Sequence, residues 1–377
     1  MRAQANWDDL AVRAIVLGLA PQLHWRTLEW GEAAPLPPRA AAKLSVTYQA
    51  GQARTAAVYK QLGEVLSACA EGGLRPIALK GVHLAARFYA NPALRPMSDI
   101  DLLFAPDELS AAESILESLG YHGKYKSAVL GPGVTKHTST FRLAGPEANT
   151  PNPYLSAAAA RIMIEPHVSL EESWFGLKVD ITPGVRERAV ETQLGGHSCR
   201  VLAAEDLLLH LCVHFCFHLI MGAPTLVQLC DLLAVAVERT VERTFQSAAP
   251  PPRQIDWPVF IDRALARRAA PYALAALTTA HKLLAAPIPE SVVEQLAFAT
   301  PEPLRARIAH LGLADILRRT QQKPLRSIPQ RIVRGFSDRL ETARWAADRQ
   351  SQMRVWQTAL NVASTDTGRM LLKLNNE

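Results

Sequence analysis

Apolar residues recur at helical spacing over residues 7–73, in "LAVRAIVLGLA" and again in "AAVYKQLGEVLSACAEGG". The Gly72-Gly73 pair reads as a helix stop. The period then changes. "LRPIALKG" predicts a short strand, "VHLAARFYA" a helix, "SDIDLLF" a strand, and "PDELSAAESILESLGY" a helix opened by Pro106 and closed by Gly120. "HTSTFRL" and "RIMIEPHVSL" predict two more strands, separated by the loop-rich insertion "AGPEANTPNPYLSAAAA". From "AAEDLLLHLC" at 203 onward the pattern is helical, with a break at "SAAPPPRQ". The expected organisation is α+β, with an N-terminal helical region at 1–73, a small mixed sheet with helices at 74–200, and a C-terminal helical domain at 201–377.

The apolar run "LLLHLCVHFCFHLIMGA" carries three histidines, falls short of a membrane span and reads as a buried helix. The five cysteines sit among apolar residues without a C-x-x-C pair, which predicts reduced thiols in a cytoplasmic protein. The start, "MRAQANWDDLAVRA", turns acidic before an apolar signal region could form.

The formal charge is +6, and it is uneven. Seven basic residues (Arg318, Arg319, Lys323, Arg326, Arg331, Arg334, Arg339) and one acid, Asp338, give the 318–339 segment a balance of +6. Such a segment reads first as a solvated helix face. Its alternative, a track for phosphates, makes nucleic acid a possible but not a favoured partner.

Candidate chemistry centres on "RPMSDIDLLF". In a strand, Asp99 and Asp101 project from one face, while Ile100, Leu102 and Phe104 take the other. Carboxylates ~6–7 Å apart along a strand repel each other in isolation. A pair of divalent cations ~3.5–4 Å apart removes the conflict, and Mg²⁺ suits oxygen ligands completed by water and substrate phosphates. Lys80 and Gly81 open a helix after the preceding strand, where backbone N–H groups and a lysine meet phosphate. Arg95 and Ser98 stand just before the acidic pair, in reach of phosphate oxygens. Glu165, on a later strand, offers a third carboxylate. Pro166 beside it predicts an edge strand or a bulge, and Glu171 and Glu172, the nearest substitutes, read as an exposed turn.

The order of strand, Lys-Gly, helix, D-h-D on a strand and an acid on a later strand resembles the nucleotidyltransferase superfamily of DNA polymerase beta. More closely, "LKGVHLAARFY…RPMSDIDLLF…IEPHVSL…AEDLLLHLCVHFCFH…LCDLLAV" resembles an uncharacterised bacterial nucleotidyltransferase family with an "LKG…R…DIDLL" signature. The superfamily's usual Gly-Ser or Gly-Gly is Lys80-Gly81 here. The resemblance implies an enzyme that moves NMP from an NTP such as ATP to a hydroxyl or phosphate of an acceptor (a small molecule, sugar or peptide), releasing pyrophosphate. It further implies two Mg²⁺ ions. Asp99 and Asp101 would hold the one that binds the triphosphate, and the two together with Glu165 the one that activates the acceptor. Lys80, Gly81, Arg95 and Ser98 would contact phosphates. Two alternatives stand beside this: an RNA- or tRNA-directed, toxin-like transferase, and a degenerate fold that binds nucleotide without turnover.

His210, His214 and His218 share one helix face at i, i+4 and i+8. A zinc site is possible there, but no glutamate occupies the metalloprotease position; the favoured reading turns His214 and His218 to the active cleft, toward base, sugar or acceptor. His167 would share the strand face of Glu165 as a supporting partner. Asp231, an acid in an apolar helix, predicts a core ion pair, while His83 and Arg87 read as surface residues.

Overall fold

The computed structural model describes residues 6–31, 36–125, 139–143, 162–237, 255–320 and 328–360. Helices α1 (Trp7–Val16) and α2 (Ala20–Trp30) pack on the first half of α3 (Pro38–Glu71), around Ala11, Ala14, Ala20, Ala40 and Leu44. At 34 residues, α3 is about 50 Å long. Its second half lies on a sheet through Val58, Leu62, Val65 and Leu66.

That sheet contains seven strands among the described residues, in the order β3-β4-β5-β2-β1-β9-β8. They are β1 (Ile77–Ala78), β2 (Asp99–Leu103), β3 (Tyr121–Tyr125), β4 (Ser139–Leu143), β5 (Met163–His167), β8 (Val190–Leu194) and β9 (His197–Val201). β2 is parallel to β5 and antiparallel to β1, so the sheet is mixed and the fold is α+β. Helix α4 (Lys80–Phe88) leaves directly after β1, and α5 (Leu109–Ser118) follows β2. A separate hairpin pairs β6 (Glu171–Trp174) with β7 (Leu177–Asp180), and the short α6 (Val185–Arg188) leads on to β8.

Both faces of the sheet are covered. Ile100, Leu102 and Phe104 join the layer built on α3 and α5, as alternation requires. On the other face Leu103 joins α7 (Ala204–Met221) and the helices packed behind it. Those are α8 (Leu226–Ala236), α9 (Trp257–Ala266), α10 (Ala270–Leu284), α11 (Glu290–Phe298), α12 (Glu302–Ala309), α13 (Leu313–Thr320), α14 (Ile328–Ala343) and α15 (Arg349–Leu360). By length and composition α7 would suffice to cross a membrane, contrary to the expectation that it falls short. In this fold, 78% of that stretch is buried inside the protein. The cysteines form no disulfide.

Several expectations change. β5 is an interior strand despite Pro166. The His167 carbonyl accepts from the Phe104 N–H on the β2 side, so alternation sends the missing Pro166 donor toward β4. There the paired register contains only Phe141 and Ile164. Glu171 and Glu172 are not an exposed turn but the start of β6, with Glu172 only 4% exposed. His83 is buried rather than at the surface, its ring edge-on to Phe88, and burial pushes its pKa down to about 3. Arg87 is half-buried. In the basic segment, Arg334 pairs with Asp338 at 2.9 Å and Arg339 lies 4.1 Å over the Phe175 ring. The side chains of Arg318, Arg319, Lys323, Arg326 and Arg331 lie outside the described residues, as do the insertion at 144–160 and the break at 247–254.

The β6–β7 hairpin turns on Phe175 and Gly176, both at positive φ (44° and 82°), which suits the twist of a two-residue loop. A Cβ at Gly176 would stand 2.9 Å from the Arg354 carbonyl oxygen of α15. Gly73 shares the positive φ, 77°, but faces open space. Gly73→Ala should therefore cost about 1 kcal/mol through backbone strain alone, and Gly176→Ala about 2–3 kcal/mol through strain plus a forced shift of α15. Thermal unfolding of the two variants checks this, and equal losses would show that the hairpin does not seat on α15.

Candidate active site

The parallel register of β2 and β5 sets Asp101 opposite Glu165 and Leu103 opposite His167. Asp99, Asp101, Glu165 and His167 consequently rise from one face of two adjacent strands. Candidate ligand atoms of Asp101, Glu165 and His167 lie within 4.8 Å of one another, forming the one such group among the described residues. Asp99 flanks it. Thr140 on β4 donates to Glu165 Oε1 at 3.1 Å.

Asp101 is 4% exposed and holds two partners. Lys80 Nζ lies 3.1 Å from one oxygen, and His167 Nε2 lies 2.7 Å from the other. Burial opposes the charge of Asp101, but Lys80 and His167 outweigh it and keep the carboxyl well below the usual range. Burial likewise opposes the Lys80 charge, and Asp101, Asp99 and Glu172 together raise its pKa. Asp99 fares differently. Burial and the neighbouring Asp101 push it up to about 6, against the pull of Lys80 and a hydrogen bond from Ser98.

Lys80 sits at φ 35°, a left-handed conformation costly for a side-chain-bearing residue, at the first position of α4. Long-range bonds from α3 brace this corner. Tyr59 donates to the Val82 carbonyl at 2.8 Å, and Arg54 to the Met97 carbonyl at 2.7 Å. Beside it, Arg95 forms a bidentate pair with Asp231 of α8, Nε–Oδ1 and Nη2–Oδ2 both 2.8 Å, and Tyr89 donates to Asp231 at 2.7 Å. The core ion pair expected of Asp231 therefore forms with Arg95. A Cβ at Gly81 would meet Arg95 Nη1 at 3.0 Å, so the glycine lets the guanidinium lie against the start of α4. Lys80, Gly81, Arg95 and Ser98 thus gather around the acidic pair.

On α7 the rings of His210 and His214 stack at 5.8 Å, and those of His214 and His218 meet at 4.2 Å. These three form no metal-holding group among the described residues, and the zinc reading finds no support. Instead His214 Nδ1 lies 2.8 Å from the buried Glu172. The expectation of an exposed turn at Glu171 and Glu172 hides Glu172 as a partner. The available signal was the alternation in "LKVD" directly after Gly176.

A family described as uncharacterised nucleotidyltransferase matches residues 3–285. The chain belongs to that family. It is an enzyme of the nucleotidyltransferase class. No curated protein matches the chain, and no solved structure does. The family match ends close to the end of α10, so α11 to α15 lie beyond it.

The raised pKa of Asp99 has a consequence for stability. The folded carboxyl keeps its proton up to about pH 6, whereas an unfolded aspartate loses it near 3.8. Between those values the folded state binds more protons, so the contribution of Asp99 to stability falls as pH rises and is fully unfavourable above about 6. Asp99→Asn should therefore stabilise the metal-free protein by about 1–3 kcal/mol at pH 7 and leave it nearly unchanged at pH 4. Calorimetric melting in the presence of a chelator measures this. The same gain at both pH values would mean that charge is not the cause.

Proposed function

We propose that this enzyme transfers a nucleoside monophosphate from an NTP to a hydroxyl or phosphate of an acceptor, with release of pyrophosphate and dependence on Mg²⁺. The observation that carries the reading is the parallel register that sets Asp101 against Glu165, with Asp99 on the same face. The donor set fits a hard divalent cation: three carboxylates on one face, one of them, Asp99, pushed up to about 6 by burial and by the neighbouring Asp101. Asp99, Asp101 and Glu165 would hold Mg²⁺, which when bound neutralises triphosphate charge and favours the ionised acceptor.

The remaining residues position and exclude. Lys80 and Arg95 supply cations at the start of α4, where the backbone N–H groups also favour phosphate. The Asp231 carboxylate holds Arg95 by two bonds and so fixes its orientation. His167, bonded to Asp101 Oδ1, orients that carboxylate. Thr140 does the same for Glu165. Catalysis by positioning and charge compensation is what phosphoryl transfer asks of a protein.

The closeness of Glu165 to Asp101 favours turnover over a degenerate nucleotide binder. The RNA-directed alternative gains nothing from Arg334 and Arg339, which are engaged within the fold.

Titration calorimetry with ATP, GTP, CTP and UTP, with and without Mg²⁺, tests the reading in the wild type and in Asp99→Ala/Asp101→Ala. One nucleotide should bind, require Mg²⁺ and lose at least about 100-fold in affinity in the double variant. Binding indifferent to both the ion and the substitutions would overturn the metal site.

A further inference from the structure

His167 is more than Asp101 requires of a hydrogen-bond donor. Asp101 already meets a full opposite charge at one oxygen, where Lys80 Nζ lies 3.1 Å away. At the other oxygen any neutral donor would serve, yet the chain presents an imidazole, with Nε2 2.7 Å from Oδ1. Imidazole nitrogen is the commonest protein ligand to metal ions. The ring is 1% exposed, and Glu165, two residues before it on β5, stands directly across from Asp101. The three side chains also have the spacing of ligands to a single ion. At bond lengths of ~2.1 Å, adjacent ligands of an octahedral ion lie ~3.0 Å apart and opposite ones ~4.2 Å. The Nε2–Oδ1 distance is close to the first value, and the ligand atoms of Asp101, Glu165 and His167 all fit within 4.8 Å. Asp99 falls outside that group. The acidic site therefore has two unlike ends, one of carboxylate oxygen alone and one that adds a nitrogen.

We propose that Asp101, Glu165 and His167 form a site for a first-row transition dication such as Mn²⁺, filled without nucleotide, with His167 Nε2 as a direct ligand. Mg²⁺ arrives with the triphosphate at the other end, on Asp99 and Asp101. The proposal rests on the nucleotidyl-transfer reading for the purpose of the ion and deepens it by naming the ion's class. Carboxylate oxygen suits Mg²⁺ and Mn²⁺ alike, but imidazole nitrogen favours the transition ions, and Mg²⁺ sheds its water reluctantly. On binding, the ion takes the place of the hydrogen between Oδ1 and Nε2, and the imidazole carries its proton on Nδ1. The hydrogen bond that orients Asp101 in the unloaded protein thereby becomes two bonds to one cation. Lys80 and Thr140 each hold one oxygen of the flanking carboxylates, Asp101 and Glu165, and keep the pair in place for it.

The test uses the full chain, stripped of metal with a chelator and titrated with MnCl₂ in the absence of nucleotide. Electron paramagnetic resonance should count one bound Mn²⁺ per chain. Its electron spin-echo modulation should show a histidine nitrogen, recognised by the change on ¹⁵N-histidine labelling. MgCl₂ should displace the ion only in at least about 100-fold excess. His167→Gln, which keeps a donor for Asp101, should abolish the nitrogen modulation and weaken Mn²⁺ binding at least about 10-fold while Mg²⁺ affinity changes little, a split that a merely structural histidine would not produce. Should that variant fail to fold, Glu165→Gln, which leaves the imidazole in place, should weaken Mn²⁺ binding by a similar factor. Four results would overturn the proposal: no Mn²⁺ bound without nucleotide, bound Mn²⁺ with no histidine nitrogen, displacement by an equal concentration of Mg²⁺, or unchanged Mn²⁺ affinity in the folded variant. Titration of ATP, GTP, CTP and UTP in MgCl₂ into the same preparation keeps the two readings apart. A histidine-ligated Mn²⁺ in a protein that binds none of the four would overturn the nucleotidyl-transfer reading and leave the transition-ion site standing.

Discussion

Asp101 is a carboxylate placed in the interior, and the active end of the molecule is arranged around that fact. An uncompensated ionised carboxylate there would cost at least several kcal/mol. Two groups answer it, and each constrains the fold. Lys80 must stand at the head of α4 in a left-handed conformation to reach the oxygen 3.1 Å away. His167 must come from β5 in the one register that brings it to the other oxygen. A shift of β5 by one residue would turn Glu165 and His167 to the opposite face and leave Asp101 half-compensated. Register, helix start and acid are therefore one cooperative unit. The bonds from α3 to the Val82 and Met97 carbonyls hold it in place.

The two aspartates, equivalent in the pattern D-h-D, are made unlike by their surroundings. Asp101 has gathered the nearby positive groups and is held ionised. Asp99, with Ser98 and a share of Lys80, is left with a pKa near 6. Such an asymmetry suits a site that must survive without a cation and still attract one. On the proposed Mg²⁺ reading, the first acid keeps its partners in the unloaded fold, and the second, raised by burial and by Asp101, gains most from a cation. Arg95 adds to this from the other side, where Asp231 joins the segment before β2 to α8 and so to the helical layer.

The parts of this design legible in the chain are those written in short-range pattern. Alternation in "SDIDLLF" put Asp99 and Asp101 on one face and Ile100, Leu102 and Phe104 on the other, and the folded chain agrees. Glu165 was legible as an acid on a later strand, although Pro166 argued for an edge. An edge was the wrong inference because a strand has two hydrogen-bonding sides, and the missing donor faces the one with little pairing. The burial of His83 was not legible, because both sides of α4 are covered by elements distant in sequence. The partner of Asp231 could be expected in kind but not named, since 136 residues separate it from Arg95. The β6–β7 hairpin was hidden by its turn. Phe175 takes a positive φ with none of the Asn-Gly chemistry that usually announces one.

That hairpin also shows how the two ends of the chain share the work. The family match stops at residue 285, yet the core that covers the acidic face extends past it to Leu296, Ile308, Trp345 and Val355. Tyr272 on α10 bonds the Trp345 carbonyl at 3.2 Å, Arg339 of α14 lies on the Phe175 ring, and α15 closes over Gly176. The helices beyond the family match therefore join α7 in seating the hairpin, which carries Glu172 to His214. The carboxylates of β2 and β5 stand on the central sheet, inside the family match. The Glu172 side is held in part by helices that lie beyond the family match.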